Sequence, residues 1–177
     1  MSSSSVMPQS ERTARCPPPT LATALVADLG FTAFVERNRP RYMRYAEARL
    51  PGDSACAAVT ATLASARNHW AWLLSQPCPA AEVWRELRLQ VGRRADRIGP
   101  RDPGLLVLYG QLPDGCADSV VLCRWIGFGV NEAAELMGAE PPAVEVALAV
   151  ARRTLPHLID RDTSESTVAF PGLFAIG

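Results

Sequence analysis

The residues in this chain that could do chemistry are its arginines, its five cysteines, its two histidines and its carboxylates. All 18 basic residues are arginine, with no lysine anywhere. The planar guanidinium fork suits phosphate and carboxylate partners, although arginine-only, alanine-rich usage is also what a GC-rich genome produces. Cys16, Cys56, Cys78, Cys116 and Cys123 are odd in number and form no close CxxC pair. With His69 and His157 as the only histidines, no zinc-ligand spacing can be written. The cysteines read as reduced, partly buried thiols of a cytosolic protein. Two isolated histidines supply no nucleophile–base–orienter trio. Gly127-Phe128-Gly129 is too short for a phosphate loop and leads into an acidic stretch. The expectation is therefore no catalytic residue, no metal, no cofactor and no enzyme.

Formal net charge is zero, so any steering toward nucleic acid must come from local patches. Phe31 to Arg49 holds five arginines against two glutamates, and Ala81 to Arg101 holds six against three acids. In the second stretch Arg85, Arg88, Arg93 and Arg94 are candidates for a phosphate-contacting surface. An equally good reading is a solvated helix face, with Glu82 and Glu86 at pairing distance from Arg85 and Arg88. Val130 to Arg153 runs the other way: four glutamates (Glu132, Glu135, Glu140, Glu145) against Arg152 and Arg153.

These groups must be positioned by helices. The apolar residues from Leu21 to Leu50 recur with helical period, with Leu25, Leu29, Phe31, Phe34 and Val35 followed by Tyr42, Met43, Tyr45, Ala46 and Leu50. Pro40 is read as starting a helix rather than interrupting one. Pro51-Gly52-Asp53-Ser54 is a turn, and Ala55 to Leu74 a second helix with Val59, Leu63, Ala66, Trp70 and Leu74 near one stripe. Ala80 to Arg97 is a third, burying Val83, Leu87 and Val91. No alternating strand pattern of useful length occurs, so the fold class is all-α. Trp70, Trp72 and Trp84 are expected in the core, and His69 on a helix surface.

Gly99 to Gly104 packs two prolines and two glycines into six residues and marks a linker. The expected organisation is a disordered leader over 1–20, a helical domain over 21–98, the linker 99–104, a helix-turn-helix domain over 105–156, and a tail over 157–177 with an apolar end. No apolar run approaches the roughly 20 residues of a membrane span, and the N-terminus lacks the apolar centre of a secretory signal. The expected location is cytoplasmic, with no membrane partner.

The order of motifs resembles bacterial extracytoplasmic-function sigma factors of the sigma-70 family, in an atypical form. In the first block the matching residues are Phe31-Thr32-Ala33-Phe34-Val35, Tyr45-Ala46, Leu50-Pro51-Gly52-Asp53, His69-Trp70-Ala71-Trp72 and the arginine-bearing helix around Trp84. In the second they are Leu112-Pro113, Val120 to Trp125, Gly127 to Val130, Glu132 to Gly138, then Val144, Leu148 and Ala151-Arg152-Arg153. The resemblance spans about residues 21 to 155. It implies a region-2-like domain that binds polymerase and reads the −10 element, then a region-4-like helix-turn-helix. The chain departs from the family at contact positions. Cys56 to Thr62 lacks the family's acidic residue and glutamine, and Pro142-Ala143-Val144-Glu145-Val146-Ala147 stands where the family favours Gly-Thr-Val-Lys-Ser-Arg.

The function expected from this resemblance is that of an atypical sigma-like transcription regulator associating with RNA polymerase core, promoter DNA, or both. Its DNA-contacting candidates are Arg85, Arg88, Arg93, Arg94, Arg124, Arg152 and Arg153. The alternative is a degenerate sigma-like adaptor that contacts another regulatory protein or a second copy of itself. That reading uses Val146, Ala147 and Val150, which add apolar surface beside the core stripe of Val144, Leu148, Ala151 and Leu155.

Overall fold

A computed structural model describes residues 21–99 and 102–159. The expected leader, and all but the first three residues of the expected tail, lie outside the described residues. Among those described the protein is all-α, with no strand. Helices α1 (Leu21–Arg49), α2 (Gly52–Asn68), α3 (Trp70–Leu74) and α4 (Pro79–Ile98) form the first half. The second comprises α5 (Pro103–Gln111), α6 (Asp114–Val120), a π-helical turn (Val121–Trp125), α7 (Val130–Met137), α8 (Pro141–Thr154) and α9 (Pro156–Ile159). Packing is densest within each half, α1 and α4 against α2 in the first and α8 against α6 and α7 in the second. The halves meet where α4 packs on α7 and α1 on the π turn, and their buried residues form a single cluster.

Helix α1 runs straight through Pro40, against the expectation that this proline opens a helix. A proline inside a helix removes one backbone bond and costs roughly 3 kcal/mol. It is tolerated here because both flanks are anchored. Phe31 lies before it, Tyr42, Tyr45 and Ala46 after it, all buried in the same core. Buried Asn38 turns its amide back to the Phe34 carbonyl at 2.9 Å. Leu29, expected in the apolar cluster, is instead exposed.

The expected single helix from Ala55 to Leu74 is broken at His69, which leaves helical geometry at φ −115°. The break swings Trp70 inward, its ring centroid 5.3 Å from both Phe31 and Phe34. It also puts Trp72 and Leu74 on the surface, where the sequence stripe had placed them in the core. Trp84 is buried between Tyr42 and Tyr45.

In the second half, Asp102 caps α5 by accepting from the Gly104 N–H at 2.7 Å, with Pro103 at the first helical position. Helix α7 ends on Gly138 at φ 64°, with Ala139 N–H bonded to Ala134 O, the Schellman ending that glycine favours. Pro141 then starts α8. This α7–turn–α8 unit is the helix-turn-helix. Gly138 faces Ala81 of α4 so closely that an added Cβ would lie 2.4 Å from the Ala81 nitrogen. Gly138→Ala should therefore destabilise the protein by roughly 2–4 kcal/mol, combining left-handed strain with overpacking. Urea unfolding checks this, and the surface glycine Gly115, with open space around it, serves as the control.

Candidate nucleic-acid interface

Two polar networks join the halves. The first is centred on Asp118 of α6, which is fully buried. Tyr45 of α1 and Tyr109 of α5 each donate a hydroxyl hydrogen bond to its Oδ1 at 2.7 Å. Arg88 of α4 approaches its Oδ2 through Nε at 2.5 Å and reaches Asp114 through Nη2 at 2.6 Å. Arg49, from the last turn of α1, donates to the Tyr45 hydroxyl at 2.7 Å and lies 3.8 Å over the Tyr109 ring. Burial holds the Tyr45 and Tyr109 hydroxyls well above their ordinary pKa, so both stay neutral donors. Burial also raises Asp118, against the pull of Arg88, the two hydroxyls and Arg49. Although burial opposes its charge, Arg49 is held protonated by Tyr45, Tyr109 and Asp118.

The second network joins α1 to the helix-turn-helix. Arg37 Nε donates to Glu135 Oε1 at 2.7 Å, and Arg41 lies 3.4 Å from Glu132 and 3.6 Å from Glu135. Arg44 donates to the Ile126 carbonyl at 2.6 Å and sits 4.5 Å over the Phe128 ring. The π turn sets up this last contact. Its wide Ile126 N–H to Val121 O bond and the Phe128 N–H to Leu122 O bond bring Ile126 and buried Phe128 under α1.

The residues picked from sequence are scattered by the fold. Arg88 is committed inside the protein to Asp118 and Asp114. Exposed Arg85 pairs with Glu82 at 2.6 Å, and Arg94 is folded back onto Gln90. Arg85, Arg88 and Arg93 do share one groove of about 380 Å³ between α4 and α5–α6, with Arg49, Tyr109, Asp96 and Asp114 in its walls. Arg124 is exposed on the π turn, and Arg152 and Arg153 are exposed on the last turn of α8, away from that groove. On α8 Val146 is exposed, Ala147 and Val150 are half-buried, and Val144 and Ala151 are in the core.

Sequence reasoning missed the groups that join the halves: Arg37, Arg41, Arg44, Arg49, Tyr45, Tyr109 and Asp118. The one signal that could have found them was opposite local charge, an arginine-rich Phe31–Arg49 against an acidic Val130–Arg153. The two segments meet in the fold, so half of the acidic residues on the helix-turn-helix are balanced by α1. Among the described residues no group of His, Cys, Asp and Glu is arranged to hold a metal, and no helix is long and apolar enough to cross a membrane. Cys56 is exposed, and Cys78, Cys116 and Cys123 are half-buried free thiols.

Removing one partner of a buried ion pair typically costs about 3–5 kcal/mol, and Asp118→Ala is expected in that range by urea unfolding. Because the folded carboxyl binds its proton more tightly than the unfolded one, its contribution to stability is fullest below the unfolded pKa and falls as pH rises through the folded value. The stability of the wild type relative to Asp118→Asn should therefore decline between about pH 4 and about pH 7. A difference that grows with pH would contradict the burial-dominated shift.

No protein-family model and no curated protein matches this chain in sequence. Among solved structures, CnrH in complex with the cytosolic domain of CnrY is similar, with a TM-score of 0.50 and 24% sequence identity, covering 78% of this chain and 95% of that one. CnrH is an extracytoplasmic-function sigma factor. At that identity the likeness shows a sigma-like helical fold.

Proposed function

We propose that this chain is an atypical sigma-like transcription regulator that associates with RNA polymerase core, promoter DNA, or both, working by binding and positioning. The observation that carries this reading is the order of parts. A helical half of α1–α4 is followed by a second half ending in a helix-turn-helix, in a fold similar to CnrH. Recognition helices reach base edges with their N-terminal residues, and here those residues are Pro142, Ala143, Glu145 and Val146. Of these, only Glu145 offers a polar group, one suited to accept from cytosine. Phosphate contact then falls to exposed arginines, with Arg93 in the α4 groove and Arg153 at the end of α8 as the best placed.

A second reading is favoured by one observation: Val146 is 61% exposed on the outer face of α8, beside the uncharged Ala149 and half-buried Val150. An adaptor using that face for another regulator, or for a second copy of the chain, would dispense with promoter reading. CnrH itself was solved with a partner protein domain.

Affinity purification of the full chain from its native cell at low salt, scored for polymerase subunits, together with promoter titration, separates the readings. Under the first, the slope of log affinity against log salt should flatten by about 0.9 for each phosphate that Arg93→Ala no longer neutralises. Arg94→Ala should have a smaller effect, because that guanidinium is tied to Gln90. Under the second, Val146→Asp should abolish partner capture while changing stability by no more than about 0.5 kcal/mol. A large loss of stability would mean that the Val146 face is core.

A further inference from the structure

We infer that the arginine row Arg37, Arg41 and Arg44 on α1 is a second nucleic-acid backbone site, covered in this structure by the chain's own helix-turn-helix. The inference deepens the DNA-binding half of the proposed function and rests on it. The three arginines are spaced four and three residues apart, which places them on one helix face. What they touch now resembles what a nucleic-acid strand presents. Glu132 and Glu135 supply anionic oxygens, Ile126 a carbonyl acceptor, and Phe128 an aromatic face under a guanidinium.

The cover fits loosely, and this distinguishes a displaceable occupant from a structural one. Arg41 reaches its two glutamates only at 3.4 and 3.6 Å, and its Nη1 is buried without a hydrogen bond. The Arg37–Glu135 pair is more than a third exposed on both sides, where ion pairs are weak and screened by salt. An interface between helical halves built on arginine contacts is also the kind that separates. Lifting α7 from α1 would uncover the arginine row. It would also free the turn at Gly138, now pressed against Ala81, and with it the start of α8. One motion thus exposes both candidate DNA-contacting surfaces, and duplex phosphates compete with Glu132 and Glu135 for the same guanidinium groups.

The test titrates the full chain against a duplex of about 30 base pairs of unrelated sequence at low salt. Glu132→Gln with Glu135→Gln should raise affinity about tenfold, the upper range for two exposed ion pairs. Glu140→Gln with Glu145→Gln removes the same charge from the same helix-turn-helix at exposed positions away from α1, and should raise it less than about threefold. Adding Arg37→Gln and Arg41→Gln to the first pair should erase the gain, and circular dichroism confirms that each variant remains helical. Equal gains from the two glutamate pairs would reduce the effect to net charge and overturn the inference. So would a gain that survives removal of the arginines, or no duplex binding by any variant. Promoter binding or polymerase capture that persists in those cases would leave the proposed function standing. Absence of both with the unrelated-duplex pattern intact would sink that function and keep the covered site.

Discussion

A single carboxylate out of contact with water constrains the whole molecule. Asp118 is buried in α6, and its charge is tolerable only while donors from three other helices converge on it: Tyr45 from α1, Arg88 from α4 and Tyr109 from α5. A buried charge without partners is expensive, so the arrangement is close to all-or-none. Either the two halves are seated together with every donor in place, or Asp118 must return to water. Arg49 adds to this coupling from the end of α1, since it bonds the Tyr45 hydroxyl and stacks on the Tyr109 ring. Burial, which keeps both tyrosines neutral, also keeps them as donors, so the network needs no proton transfer to hold.

Several local departures from ordinary helix design follow from that seating. For Tyr45 and Arg49 to reach α5 and α6 from the same helix that carries Phe31, α1 must be one continuous rod, and it continues through Pro40. For Arg44 to meet Ile126 and Phe128, the chain after α6 widens into a π turn rather than continuing as an α-helix. For α7 to reach α4, the turn of the helix-turn-helix needs a residue without a side chain, and Gly138 also supplies the left-handed backbone there. Proline within a helix, a π turn and a left-handed glycine each carry a cost in isolation. Here each lies on a path that brings one half onto the other.

The parts of this structure that were legible in the sequence are those written in local pattern. The periodic apolar residues located α1, α2, α4 and α8, and the proline–glycine punctuation around 99–104 fell between α4 and α5. Gly138 and Pro141 bounded the turn of the helix-turn-helix. What stayed hidden depends on distance along the chain. Arg37 and Glu135 are 98 residues apart, and Tyr45 and Asp118 are 73 apart. Neither pairing has a local signature, so the arginines of α1 read as a free basic patch and Asp118 as one more surface acid. Trp72 misled for a related reason. It lies close to a helical stripe with Trp70, but the break at His69 turns one ring inward and leaves the other in solvent.

Where the arginines go bears directly on how such a protein could hold DNA. In the closed arrangement Arg37, Arg41, Arg44, Arg49 and Arg88 all face groups of the protein itself, and Arg85 and Arg94 are held by neighbours on their own helix. The surface left for phosphate is therefore much poorer than the segment charges suggest, because opposite local charges cancel once the halves meet. A chain of zero net charge can bind a polyanion well only by unpairing charges it already has. Glutamates that cover arginines then act on affinity more strongly than glutamates facing solvent, although both contribute the same unit charge. The helix-turn-helix is acidic where it faces α1 and largely apolar where it faces out, so it is better suited to closing this molecule than to gripping DNA unaided.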